Sequence, residues 1–189
     1  DDTLIDTAGS TIPAAEAIQE VFQNHVTPIW AKQLKERFFE IFMTLMKGHQ
    51  GSVDSYQEHD DLITRITAAQ PTVWKKYGFI KKWSREIFIK LAAEDLMITV
   101  TPELIHEAAD AYWIALSKLT RILPGVSDLL EAIKVHHRPM YLITSSDARL
   151  KMQEDGTFIY SPEYSEGLKR ERMELLRGKG ITYNGLSIG

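Results

Sequence analysis

The chain has 189 residues, 44% of them hydrophobic and 25% charged, with a net charge of -4. That is enough for one large domain or two small ones around a real core, and the negative balance argues against a nucleic-acid binder, which needs a basic face. There are no cysteines, so disulfides, thiolate zinc sites and a cysteine nucleophile are excluded.

No apolar run approaches the roughly 18 residues needed to span a bilayer, and the acidic start is not a signal peptide. The expectation is a cytoplasmic protein without membrane partners. Self-association as a homo-oligomer is left open. Lys75, Lys76, Lys81 and Lys82 are interleaved with Trp74, Tyr77, Phe79 and Trp83. They read as solvated lysines on amphipathic helices.

Residues 1 to 12 read as a loop. Pro13 suits the first turn of a helix over 14 to 24, with Ala17, Ile18, Val21 and Phe22 at helical spacing. Pro28 opens a second helix to about Lys47, striped by Leu34, Phe38, Ile41 and Leu45. A third covers 56 to 69, a helical turn follows over 72 to 77, and Gly78 breaks it. The fourth spans 81 to 93. Thr101 caps the fifth, which has Pro102 and Glu103 in its first turn and reaches about Leu119.

The texture then changes. Leu123-Pro124-Gly125 is a turn, and Val126 to His136 is a short amphipathic helix. Met140-Tyr141-Leu142-Ile143 reads as a buried strand. Residues 150 to 160 form a hairpin turning at Asp155-Gly156, 163 to 178 a helix, and Leu186 to Ile188 another strand. The expected fold class is therefore α/β: a Rossmann-like parallel sheet core with an inserted all-helical domain. The expected division is 1–12 with 120–189 as the α/β core, and 13–119 as the helical insert.

Asp1-Asp2-Thr3-Leu4-Ile5-Asp6-Thr7 carries the most chemical information. It resembles the first motif of haloacid dehalogenase-like phosphatases, an apolar strand followed by Asp-x-Asp-x-Thr-Leu. The resemblance makes Asp1 the second aspartate, the general acid/base, and puts the nucleophile two residues before it. Such a pair divides the labour between an ionised nucleophile and a proton carrier. Asp6 reads as a turn or cap residue.

Leu123-Pro124-Gly125-Val126 and the strand ending at Thr144-Ser145-Ser146-Asp147 resemble the run-up and second motif of that family. There Thr144, helped by the Ser145 backbone N–H, would bind the transferring phosphoryl group. Lys169 corresponds to the motif lysine that neutralises phosphoryl charge, with Lys151 as the alternative. Arg149 is a further candidate for the phosphate neighbourhood. Asn184 to Gly189 resembles the lead-in to the acidic loop that holds magnesium, for which Asp1 would supply its backbone carbonyl and residues beyond the chain the rest.

Both ends thus read as cuts inside structured elements, so the segment alone is expected to be inactive. The helical insert resembles a cap that closes over the site. Trp30, Phe38, Trp74, Trp83 and Trp113 are read as core. The implied activity is magnesium-dependent hydrolysis of a small phosphorylated metabolite through an aspartyl phosphate. The rival readings are a metal-free haloacid dehalogenase and a non-catalytic helical binding protein.

Overall fold

A computed structural model describes residues 4–52 and 54–189. The order of elements is β1 (Ile5–Asp6), α1 (Ala8–Phe22), α2 (Pro28–His49), α3 (Tyr56–Ala68), α4 (Pro71–Tyr77), α5 (Arg85–Asp95), α6 (Pro102–Leu119) and β2 (Arg121–Ile122). It continues with α7 (Val126–Val135), β3 (Tyr141–Thr144), β4 (Leu150–Met152), β5 (Phe158–Tyr160), α8 (Pro162–Gly178) and β6 (Gly185–Ile188).

Local chemistry sets most helix starts. Thr27, Ser55, Thr101 and Ser161 each accept a hydrogen bond from the backbone N–H three residues on, satisfying an orphan donor of the first turn. Pro28, Pro102 and Pro162 follow three of these caps, where no N–H is needed. Gly78 ends α4 in the left-handed conformation.

The first helix differs from expectation. It starts at Ala8, so Pro13 lies inside it. Side chains close the turn that was expected to be loop: Asp6 Oδ1 accepts from Gly9 N at 2.7 Å, Ser10 Oγ donates to Asp6 O, and Thr11 Oγ1 donates to Thr7 O. These bonds offset the donor that proline withholds.

The larger core lies among the helices. α1 packs on α6 and α2, and α2 on α5. The stripe Leu34, Phe38, Ile41 and Leu45 is almost wholly buried. Phe38 sits against the Phe88 and Tyr112 rings at centroid distances of 6.2 and 5.6 Å. Leu150 and Tyr160 of the β4–β5 hairpin join this core. A smaller one gathers Ile5, Val126, Leu130, Met173, Leu176 and Ile181.

The expected Rossmann-like parallel sheet is not formed; the described residues are mostly helical, with three two-stranded sheets. β1 and β2 pair antiparallel, as do β4 and β5, and only β3 and β6 run parallel, from Tyr141↔Gly185 to Thr144↔Ile188. The physical reason lies in what is left to cover the strands. The helical stripes face one another, and the hairpin, closed by a short loop, pairs with itself at little entropic cost. One face of β3 is therefore bare: Tyr141 and Ile143 are 68% and 87% exposed. An apolar run was read as a strand buried on both sides, and it is buried on one at most.

No helix among the described residues is long and apolar enough to cross a membrane.

Candidate functional site

A crevice of about 910 Å³ opens between the helical core and the end of the β3–β6 pair. The helices supply an apolar wall: Phe39, Phe42, Met43 and Met46 from α2, Trp113 and Leu116 from α6, and Trp83 just before α5. Ser145, Ser146, Asp147 and Ala148 follow β3 and form the polar end, with Arg172 from α8. Gly189 reaches the same place because the parallel pairing runs past the strands: Gly189 N donates to Thr144 O at 3.0 Å and Ser146 N to Gly189 O at 2.9 Å.

Ala148 is the pivot of the polar end. Its φ of 54° places it in the left-handed region although it is not glycine, a conformation that tertiary contacts must hold. Its neighbours part there. Asp147 turns to α8, where its Oδ1 accepts from Lys169 Nζ at 2.8 Å and Arg172 Nη1 at 2.9 Å. Arg149 turns to the helical core, where its Nε donates to Glu86 Oε1 at 2.9 Å and its Nη2 to Asp110.

Asp147, Lys169, Arg172, Arg149 and Glu86 are buried, so their charges act at low dielectric, whereas Asp110 is partly exposed. Burial works against the Asp147 carboxylate, but the charges of Arg172 and Lys169 outweigh it and hold Asp147 below the ordinary carboxylate range. Burial also pushes Lys169 below its usual range, against the attraction of Asp147 and with repulsion from Arg172. Arg149 is held above its usual range, because Glu86 and Asp110 outweigh the burial that opposes them.

The residues singled out from sequence are placed unequally. Asp1 lies outside the described residues. Ser145 lines the crevice, whereas Thr144 is off its wall and its hydroxyl makes a long 3.4 Å bond to Ser145 O. Lys169 lies behind the wall, fully buried and joined to it through Asp147. Lys151 is exposed on β4. Arg149 is bound into the network with Glu86 and Asp110. Of the residues read as core, Phe38 is fully buried, Trp113 belongs to the larger core and Trp83 packs against it while both also line the crevice, and Trp30 and Trp74 are exposed.

Arg172 and Arg85 were missed. Arg172 follows Lys169 at i+3, and that spacing on one helix face was the available signal. Arg85 had none, since nothing in Trp83-Ser84-Arg85-Glu86 tells that both charged side chains turn inward.

The described residues contain no group of three or more His, Asp or Glu side chains that could hold a metal ion. The magnesium ligands that the sequence resemblance implies, the Asp1 backbone carbonyl and residues after Gly189, lie outside the described residues. No family model, curated protein or solved structure matches the chain.

Proposed function

We propose that the protein binds a small phosphorylated metabolite in this crevice and hydrolyses its phosphate ester, with magnesium as cofactor. The observation that carries the reading is the inverted charge of the crevice. The chain is net negative, yet among the described side chains the lining holds Lys81, Lys82, Arg85 and Arg172 against the carboxylate of Asp147. That carboxylate is already shared by two cations.

Arg172 supports an anion of phosphate type. Its Nη1 is taken by Asp147, while Nε and Nη2 are buried without an acceptor among the described residues. Those two N–H groups form the planar edge that matches two oxygens of a phosphate. The Ser145 and Ser146 hydroxyls lie at the same end, and the apolar wall suits the organic part of an ester. The hydrolytic step and the role of Asp1 as proton carrier rest on the resemblance of residues 1 to 7 and 123 to 147 to phosphatase motifs.

The test is phosphate release from a broad panel of phosphomonoesters by the product of the whole gene, with magnesium and with chelator. Magnesium-dependent release, blocked by vanadate, is the expected result. Arg172→Lys keeps a cation for Asp147 and removes the edge, and should lower kcat/KM about tenfold or more. Absence of release from every ester, with no rise in melting temperature on adding inorganic phosphate, would defeat the reading.

A further inference from the structure

A guanidinium taken out of water normally has a carboxylate beside it. Arg85 does not: it is 8% exposed, and no carboxylate lies within ion-pair distance among the described residues. Four aromatic rings surround it instead, with Phe42, Phe88, Tyr112 and Trp113 centroids 4.9 to 5.5 Å from its Cζ. They stabilise a cation through the ring faces and accept no hydrogen bond from it among the described residues. Its one hydrogen bond among the described residues runs from Nη1 to Trp83 O at 2.6 Å. Nε is buried without an acceptor among the described residues. Arg85 thus resembles Arg172: Nη1 is used within the protein, and neither Nε nor Nη2 has an acceptor among the described residues, although of the two only Nε is wholly buried.

The two arginines belong to one crevice and share one indole. Their Cζ atoms lie 5.2 and 5.4 Å from the Trp113 ring centroid. The carboxylates nearby are committed elsewhere, Glu86 to Ser84 and Arg149, and Asp147 to Lys169 and Arg172.

We infer that Arg85 binds a second anionic group of the same ligand, a carboxylate, so that the substrate class is a phosphate ester of an organic acid. This rests on the phosphatase reading for the first group. A single planar edge matches the two coplanar oxygens of a carboxylate. A ligand with one charge at each end meets Arg172 and Arg85 together, and its hydrocarbon part meets the apolar wall between the helices.

The experiment compares kcat/KM for phosphomonoesters with a carboxylate, for neutral esters of the same length, and for bisphosphates, in the whole-gene product and in Arg85→Lys and Arg85→Gln. The wild type should prefer the carboxylated esters, and either substitution should shrink that preference about 10- to 100-fold. Arg172→Lys should lower all three classes alike. An unchanged preference in the Arg85 variants overturns the assignment, as does a wild-type preference for bisphosphates or neutral esters.

Melting curves with a phosphate-free short-chain carboxylate give a second readout that needs no turnover. Stabilisation of the wild type that is lost in Arg85→Lys supports the carboxylate subsite even if no ester is hydrolysed, in which case the phosphatase reading alone fails. Ester hydrolysis with no such stabilisation and no preference defeats the subsite and leaves the phosphatase reading standing.

Discussion

Lys169 Nζ donates to Asp147 Oδ1 over 2.8 Å, with the lysine side chain fully buried and the carboxylate 7% exposed. The bond fastens the crevice loop to α8, and Arg172 fastens it again through the same oxygen. This carboxylate thus meets two buried cations, and removing its charge takes an ion-pair partner from each.

Asp147→Asn should therefore lower stability by about 3–5 kcal/mol near neutral pH, the range for breaking a buried ion pair on one side. The sign of the pH dependence follows from the carboxylate being held below its ordinary range. Its contribution is complete above the unfolded value of about 3.9 and is lost as pH falls through the lower folded value. Urea midpoints of wild type and variant should differ widely at about pH 6 and converge towards about pH 2. A gap that stays constant across that range would show that the charge of Asp147 is not what holds the loop.

Glu86 has a comparable place on the helical side. It is fully buried and accepts from Ser84 Oγ, Arg149 Nε and Leu150 N. It ties α5 to β4, so Glu86→Ala should cost about 3–5 kcal/mol in urea unfolding. The double change Glu86→Leu with Arg149→Met removes both charges, and part of the loss should return. If the double variant loses the full sum of the singles, the two residues are not coupled in this way.

The left-handed backbone at Ala148 can be probed by side-chain shape. A β-branched residue fits that region worst, so Ala148→Val should destabilise by about 1–3 kcal/mol. In Ala148→Gly the relieved strain is opposed by the entropy glycine loses on folding, for a net change within about 1 kcal/mol. Thermal melts of the two variants give the comparison, and a valine variant as stable as wild type would mean that the loop adopts another conformation.

Much of the helical part was legible because its signals are local. The Thr101–Pro102–Glu103 start of α6 and the stripe of α2 are short-range patterns, and the structure places both elements close to the expected bounds. The same holds for the hairpin, where Gly156 takes a φ of 78° in the turn. The start of α1 was misplaced because proline was read as a helix opener, while the bonds of Asp6, Ser10 and Thr11 that extend the helix upstream form only once the turn exists.

By itself, then, the amino-acid order determined where most helices begin and end, which stripe of each is apolar, and which short runs after residue 140 are strands, but not the short strands Ile5–Asp6 and Arg121–Ile122. Tertiary structure alone decided how the strands pair. The apolar alternation of Tyr141 to Ile143 carries no record of what covers each face, and here one face has no cover. It also decided which charges meet. Arg85, Glu86, Asp147 and Arg172 come from distant parts of the chain, and burial makes each depend on the partner it has or lacks. That dependence is long-range, so a reading of local periodicity could not reach it.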